Sequence, residues 1–513
     1  MKTINELETL RQALQTELDE LKTQEERNIL GQFSTPMTLA NDILIHAKHL
    51  MPKRSKVRFL DPAFGTGSFY SALHNIFEAT RIEFSTGYEI DEHYGNPAYK
   101  LWSNSKLNFQ ISDFTKQKSP NEDEKYNLII CNPPYVRHHH INGQKERLQA
   151  QAFKVANIKL SKLSGLYCYF MALSHTWIKK NGLSGWLIPS EFMDVNYGKA
   201  IKDYLLTEVT LLQIHRFDPN DVQFDDALVS SSVVWFKNSR PSKNHKVKFT
   251  YGGTISTPTY EREVDCEVLG TEKKWTRFPL SGERKINNDP KLSDFFAVKR
   301  GIATGDNKFF ILSREEIDSR NLPIEQFRPI LPSPRYLNAT EVKADKNGFP
   351  DIENQLFVLD CKRPLDEIKQ VYPELYMYLE EGVQAGVSKR YLCRNRKIWY
   401  SQENRSESSF YCTYIGRSDQ EGKKPFRFIL NRSKAIVANS YLILYPKPHL
   451  KKEIDQNQEL NERLLEALNH ITDKAMLEEG RVYGGGMHKM EPKELANVPA
   501  IEISRVLEKT LLG

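Results

Sequence analysis

The stretch Tyr126-Asn127-Leu128-Ile129-Ile130-Cys131-Asn132-Pro133-Pro134-Tyr135 decides how this chain is read. Its first six residues form an apolar run of strand length, which predicts a buried strand. Each proline that follows fixes φ near about −65° and removes a backbone donor. The Pro133 carbonyl is therefore held in place with no local N–H to compete for it. The Asn132 side-chain oxygen is a second acceptor nearby. An NH₂ group donating to both would be drawn out of planarity, and its lone pair would localise. Tyr135 adds an aromatic face for stacking. A Pro-rich turn could carry the same four letters, so the motif is weighed with its surroundings.

Upstream, Val57-Arg58-Phe59-Leu60 reads as a short strand running into Asp61-Pro62-Ala63-Phe64-Gly65-Thr66-Gly67-Ser68-Phe69. Glycines let the backbone turn tightly and approach a ligand closely. Tyr70, Leu73, Ile76 and Phe77 then recur at helical spacing. Strand, Gly-rich turn and helix form the nucleotide-binding half of an α/β sheet. No Gly-Lys-Ser/Thr follows, so the loop is not a P-loop. Further on, Gly87-Tyr88-Glu89-Ile90-Asp91 places Glu89 at the end of a second strand, where an acid can accept from ribose hydroxyls.

This series resembles the S-adenosylmethionine-dependent DNA adenine-N6 methyltransferases of bacterial restriction–modification systems. Within them it is similar to the gamma group, whose cofactor motifs precede the catalytic motif and whose target-recognition domain comes last. The resemblance implies a doubly wound, Rossmann-like α/β methyltransferase sheet with a C-terminal mixed α+β recognition domain. It implies that Asp61, Ala63, Gly65, Gly67 and Phe69 form the first cofactor loop, with Glu89 and the adjacent Ile90 at the ribose. Asp113 and Phe114 of Ser112-Asp113-Phe114 would meet the cofactor's adenine, on its amino group and its ring. Thr35 and Pro36 of Gly31-Gln32-Phe33-Ser34-Thr35-Pro36 would fold over its methionine end. Asn132, Pro133, Pro134 and Tyr135 would be catalytic. Tyr135 and Phe224 would contact an adenine flipped out of duplex DNA, Phe224 being equally readable as a core residue before a strand.

The resemblance carries partners with it: double-stranded DNA, and a cognate restriction endonuclease as a functional partner, with the enzyme a monomer or a dimer. Its layout is similar to methylases of the PstI/BsuBI kind, which target the adenine of CTGCAG. Methyl transfer to RNA or to a protein glutamine amide would use the same catalytic letters. More than 220 residues after the connector favour DNA.

The whole chain sets the bounds. At 513 residues, more than one core is expected. Residues 1–30 read as an amphipathic helix striped by Leu7, Leu10, Leu14, Leu18 and Leu21, too short for a nuclease domain. Residues 31–240 read as the catalytic domain, 241–290 as a β-containing connector, and 291–513 as the recognition domain. No apolar run reaches the ~18 residues of a membrane span. The charged N-terminus excludes a secretory signal. Cysteines at 131, 168, 266, 361, 393 and 412 show no C-x-x-C spacing, so a cytoplasmic protein with reduced thiols and no metal is expected. His138-His139-His140 reads as a polar loop, because adjacent side chains do not easily converge on one ion. Net charge is a mild +6. Residues 389–434, however, hold twelve Lys/Arg against four Asp/Glu, interleaved with aromatics, a pattern suited to phosphate contacts or to a solvated basic surface. Gly301 to Phe310 and the run Gly484-Gly485-Gly486 resemble recognition-domain features.

Overall fold

The structure, a computed structural model, describes residues 3–141, 143–218, 230–280, 289–417, 424–483 and 487–512. The chain divides into two compact units, Met1–Lys285 with Tyr483–Gly485, and Ile286–Val482 with Gly486–Gly513.

The first unit is built on one sheet of nine strands: β1 (Val57–Asp61), β2 (Ile82–Glu89), β3 (Leu107–Ile111), β4 (Tyr126–Cys131), β5 (Ile178–Pro189), β6 (Thr210–Arg216), β7 (Ser231–Lys237), β8 (Lys246–Gly253) and β9 (Pro258–Asp265). Their order across the sheet is β3-β2-β1-β4-β5-β7-β6-β8-β9. β1 to β5 pair in parallel. β7 runs antiparallel between β5 and β6. The helices are α1 (Ile4–Glu20), α2 (Gln24–Leu30), α3 (Met37–Leu50), α4 (Ser68–Ile76), α5 (Glu92–Trp102), α6 (Lys145–Ala156), α7 (Leu166–Ser174) and α8 (Lys199–Thr207).

Side chains alternate across a strand, and β4 shows why its apolar run is continuous. Ile129 and Cys131 enter one core with residues of α6, α7 and α8, while Leu128 and Ile130 enter the other with residues of α3, α4 and α5. A parallel strand covered on both faces has no polar side. Chain order reverses between β1 and β4, which opens a crevice at the carboxyl ends of the strands, where α/β sheets bind ligands. Asp61, Glu89 and Asn132 all sit at those ends.

Two differences from the sequence reading stand out. Residues 1–30 form two helices, because Thr23 and Glu26 make a reciprocal capping box that starts a new one. The leucine stripe is the buried face only in part. Leu18 is buried and Leu7 and Leu14 are half-buried, but Leu10 and Leu21 are 40% and 70% exposed, and the polar Glu8 and Arg11 are buried in their place. Part of the surface under α1 is polar: Arg11 donates to Thr66 Oγ1 at 3.0 Å, and Tyr94 Oη to Asp19 at 2.7 Å. The second difference is the connector. β8 and β9 extend the main sheet, β8 pairing in parallel with β6, so these two strands belong to the first unit.

The second unit is mixed α+β. A five-stranded sheet runs Phe296–Arg300, Tyr441–Pro446, Phe410–Thr413, Phe428–Asn431, Glu341–Val342, beside a three-stranded antiparallel sheet of Ile311–Ser313, Leu356–Leu359 and Phe327–Ile330. Helices Leu460–Asn469 and Ile501–Leu512 contribute Leu460, Leu464 and Ile503 to the core of the larger sheet. That core also takes up the aromatics of the basic stretch: Phe410, Tyr414, Phe426 and Phe428 are buried, as is Tyr411 in an adjoining cluster. They are structural and offer no stacking face. Trp399 is half-buried, and Tyr391 is 71% exposed.

Candidate active site

A cavity of about 760 Å³ lies over the carboxyl ends of the first strands, entirely within the first unit. Its floor begins with the Gly-rich loop. Gly65 and Gly67 have φ of +56° and +98°, a region that side chains disfavour. At Gly67 an added Cβ would meet Phe64 and Trp102 at 2.7 Å. At Gly65 it would project into open space, as a cradle for a ligand requires. Trp102 Nε1 donates to the Thr66 carbonyl at 2.9 Å and fixes the turn.

Glu89 closes the next side. Its two oxygens accept from the backbone N–H groups of Gly65, 2.8 Å, and Asp91, 2.9 Å. Burial nonetheless pushes its pKa up, against those two hydrogen bonds. Asp61 lies below the cavity wall, 1% exposed, and accepts from the Ala63 N–H at 3.1 Å. Burial first, and the Glu89 charge after the opposing Ala63 bond, push Asp61 up to about 8. Asp113 and Phe114 complete this end. The Asp113 carboxylate accepts from the Thr115 N–H and hydroxyl at 2.9 and 2.7 Å. The Phe114 ring packs among Tyr88, Phe170 and Trp177.

Asn132 faces the other end of the cavity. Its side-chain NH₂ donates to the Phe33 carbonyl at 3.0 Å and to Thr35 Oγ1 at 3.1 Å. Both amide hydrogens are thereby used, which fixes the amide's orientation and leaves Oδ1 as its acceptor. The segment supplying these partners is itself anchored. Gly31, at φ +64°, accepts from the Tyr135 N–H at 3.1 Å, and a Cβ there would lie 2.4 Å from that nitrogen. Tyr135 Oη donates to the Leu187 carbonyl at 3.1 Å, and its ring lies 5.6 Å from that of Phe33.

Of the residues singled out from sequence, Ala63, Gly65, Glu89, Ile90, Asp113, Phe114, Asn132 and Pro134 line the cavity. Thr35, Pro36, Asp61, Gly67, Phe69, Pro133 and Tyr135 are not on its lining. Thr35 acts through Asn132, Pro36 precedes α3, Phe69 and Pro133 are buried, and Tyr135 is half-buried beside Phe33. Phe224 lies outside the described residues, as do Gly484, Gly485 and Gly486. His140 lines the cavity, and among the described residues no three His, Cys, Asp or Glu side chains gather as a metal site. Sequence reading missed Gln15, Asp19, Lys22, Ile29 and Leu30, which with Gln32 of the expected methionine-end segment form the wall contributed by α1, α2 and the turn after them. The Thr-x-x-Glu box at Thr23 was the available signal for that second helix.

Sheet order, Gly-rich loop, strand-end acid and cavity form an α/β fold suited to a nucleotide-like cofactor, and with the methyltransferase relatives they support S-adenosylmethionine as that cofactor. The chain is similar to methyltransferases of type II restriction–modification systems. Residues 61–223 match the Eco57I restriction-modification methylase family, and residues 272–512 match the C-terminal domain family of type II methyltransferase M.Eco57I. Type II methyltransferase M.AccI of Acinetobacter calcoaceticus is 27% identical over 92% of this chain and 85% of its own length. M.XamI of Xanthomonas campestris pv. amaranthicola is 24% identical over the same shares, 92% and 85%. M.BsuBI of Bacillus subtilis is 25% identical over 40% of this chain and 43% of its own. Among solved structures, the type IIL restriction-modification enzyme MmeI in complex with DNA aligns with TM-score 0.50 and 14% identity, over 99% of this chain and 75% of that one. The DrdV–DNA complex aligns with TM-score 0.54 and 12% identity, over 97% and 59%.

Proposed function

We propose that this protein methylates the N6 amino group of adenine in double-stranded DNA, at a specific site, with the target base extruded from the helix. The observation that carries this reading is the fixed Asn132 amide, whose NH₂ is occupied by Phe33 and Thr35 at one end of the cofactor cavity. Its Oδ1 can accept one N6 hydrogen, and the Pro133 carbonyl the other, so the amine is oriented with its lone pair toward the cavity. S-adenosylmethionine supplies an electrophilic methyl carbon when bound. Ala63, Gly65, Glu89, Asp113 and Phe114 would hold it, Glu89 accepting from the ribose hydroxyls. No base is needed before attack, because the nitrogen loses its proton after it gains the methyl group. The residues work by positioning. A base inside the stack cannot present its amine to such a crevice, which is the reason to invoke flipping. Phe224 is assigned, with Tyr135, to the flipped base.

DNA is favoured over RNA or a protein amide by the DNA complexes of MmeI and DrdV, and by one surface of the second unit. Residues 389–397 carry Lys389, Arg390, Arg394, Arg396 and Lys397 with no acid. Tyr391 stands exposed among them with the Arg394 guanidinium 5.5 Å from its ring centre. Cations of this kind neutralise phosphates. Within a restriction–modification system the modification would protect DNA from a cognate endonuclease, in the bacterial cytoplasm. No described helix is long and apolar enough to cross a membrane. The test is transfer of labelled methyl to duplex DNA by the purified chain. N6-methyladenine in the digest is expected, and label appearing in RNA or protein but not in DNA would overturn the reading.

A further inference from the structure

One cation in the cavity wall has no part in the methyl transfer itself. Lys22, in the link between α1 and α2, pairs with Asp91 at the turn between β2 and α5, with only 16% and 18% of the two side chains exposed. Gln32 donates to the same Asp91 oxygen at 2.7 Å. Asp91 in turn touches both neighbouring elements: its N–H holds Glu89 Oε1, and its Oδ1 caps α5 through the His93 N–H at 2.9 Å.

The electrostatics of this corner are lopsided. Asp61, Glu89 and Asp91 gather at the ends of β1 and β2. Burial raises the first two, and each feels a neighbouring carboxylate. Burial also opposes the charge on Asp91, but Lys22 and Gln32 outweigh it and hold that carboxyl below its ordinary value. Other groups face the cluster without supplying a free positive charge. The Cys131 thiol from β4 is pushed well up by burial. Asp19 from α1 accepts from Tyr94 Oη and has Arg27 at 3.9 Å. The His93 ring contacts the Leu18 carbonyl at 2.9 Å.

We propose that Lys22 is a positioning residue of the cofactor site: it offsets the charge gathered at this corner and pins the Asp91 turn, so that Glu89 presents its carboxylate to a ribose diol. The proposal rests on Glu89 being the ribose-binding acid. Lys22 acts through Asp91 and need not touch the ligand.

The experiment is calorimetric titration of the full chain, without DNA, by S-adenosylhomocysteine and by its 2′,3′-dideoxyribose counterpart. Lys22→Gln should weaken the parent ligand by about tenfold, as loss of a charge-assisted hydrogen bond does, and the dideoxy ligand far less. The loss should deepen as pH falls from about 8 to about 6, because without the lysine the carboxylates take up protons at higher pH. Lys22→Arg should restore most of the affinity. Lys22→Gln combined with Asp91→Asn should recover affinity as well, since the excess charge is gone while the Asp91 backbone N–H remains. A purely structural role would weaken both ligands equally with no change in pH profile, and that result overturns the proposal, as does failure of the double variant to recover. Glu89→Gln separates the two layers. If it keeps the preference for the diol, the assignment of Glu89 fails and Lys22 with it. If it loses the preference while Lys22→Gln does not, only the role of Lys22 fails.

Discussion

Residues 132–135 and residues 389–434 both looked chemical in the sequence, one as a catalytic motif and the other as a basic, aromatic DNA surface. The structure treats them differently. In the first, Asn132 projects from a strand end into a cavity, its amide fixed by Phe33 and Thr35. In the second, Phe410, Tyr411, Tyr414, Phe426 and Phe428 are buried in the cores of the second unit, and among the described aromatics of this stretch Tyr391 is the one that stands exposed. A motif whose backbone is fixed by prolines at a strand end carries its geometry with it. An aromatic in an alternating strand is aimed by the sheet, and composition does not say to which face.

The largest expected effect attacks the first region. Asn132→Ala removes the amide acceptor and should lower turnover by about 10²-fold or more while leaving S-adenosylhomocysteine affinity unchanged, the scale on which single preorganised groups act. Single-turnover kinetics beside a binding titration would check it. Next is Gly31→Ala, which removes no polar group from the site. The new Cβ would press on the Tyr135 nitrogen from a left-handed backbone position. A displaced catalytic loop should cost about 10²-fold in rate, whereas Thr35→Ser, which keeps the hydroxyl on Asn132, should cost little.

The second region is sharpened by a pair of tyrosines. Tyr411→Ala empties a fully buried site and removes a hydroxyl that donates to the Ala435 carbonyl at 2.8 Å. It should cost about 3–5 kcal/mol by denaturant unfolding. Tyr391→Ala should stay within about 0.5 kcal/mol of the parent yet weaken duplex binding. Equal stabilities for the two variants would break the contrast. The smallest effect is in the salt dependence. Lys389→Gln, Arg394→Gln and Lys397→Gln together should flatten the slope of log affinity against log salt by about 0.9 for each phosphate no longer neutralised. An unchanged slope would remove this loop from the DNA surface.

The carboxylates under the cavity add a pH test. Asp61 ordinarily titrates at 3.8 and is raised to about 8 in the fold. A raised carboxyl favours the folded state most below its unfolded value, and that contribution is lost as pH climbs through the window between the two. Wild-type stability should therefore fall as pH rises from about 4 to about 8. Asp61→Asn should flatten this window if the chain retains its fold by circular dichroism.

Much of the first unit was legible because its signals are local. The apolar run of β4, the turn at Gly65 and Gly67, and Glu89 at a strand end each depend on a few adjacent residues. The wall of the cavity was not legible. Lys22 meets Asp91 across 69 positions and Asn132 meets Thr35 across 97, and no spacing in the sequence encodes such pairings. The leucines of residues 1–30 misled in part for a related reason: α1 also settles on the polar groups of Thr66 and Tyr94, so Arg11 is buried with Leu18 while Leu10 is exposed. The stretch at 241–290 looked like a connector because it is rich in Lys, Thr, Ser, Gly and Pro, and it is the pairing of β8 with β6 that joins its strands to the main sheet.

The most direct test of the central claim is single-molecule sequencing of DNA from cells expressing the chain, with an Asn132→Ala strain alongside. N6-methyladenine is expected at one short motif, present with the wild type and absent with the variant. Methylation on another base, or N6-methyladenine that persists in the Asn132→Ala strain, would contradict it.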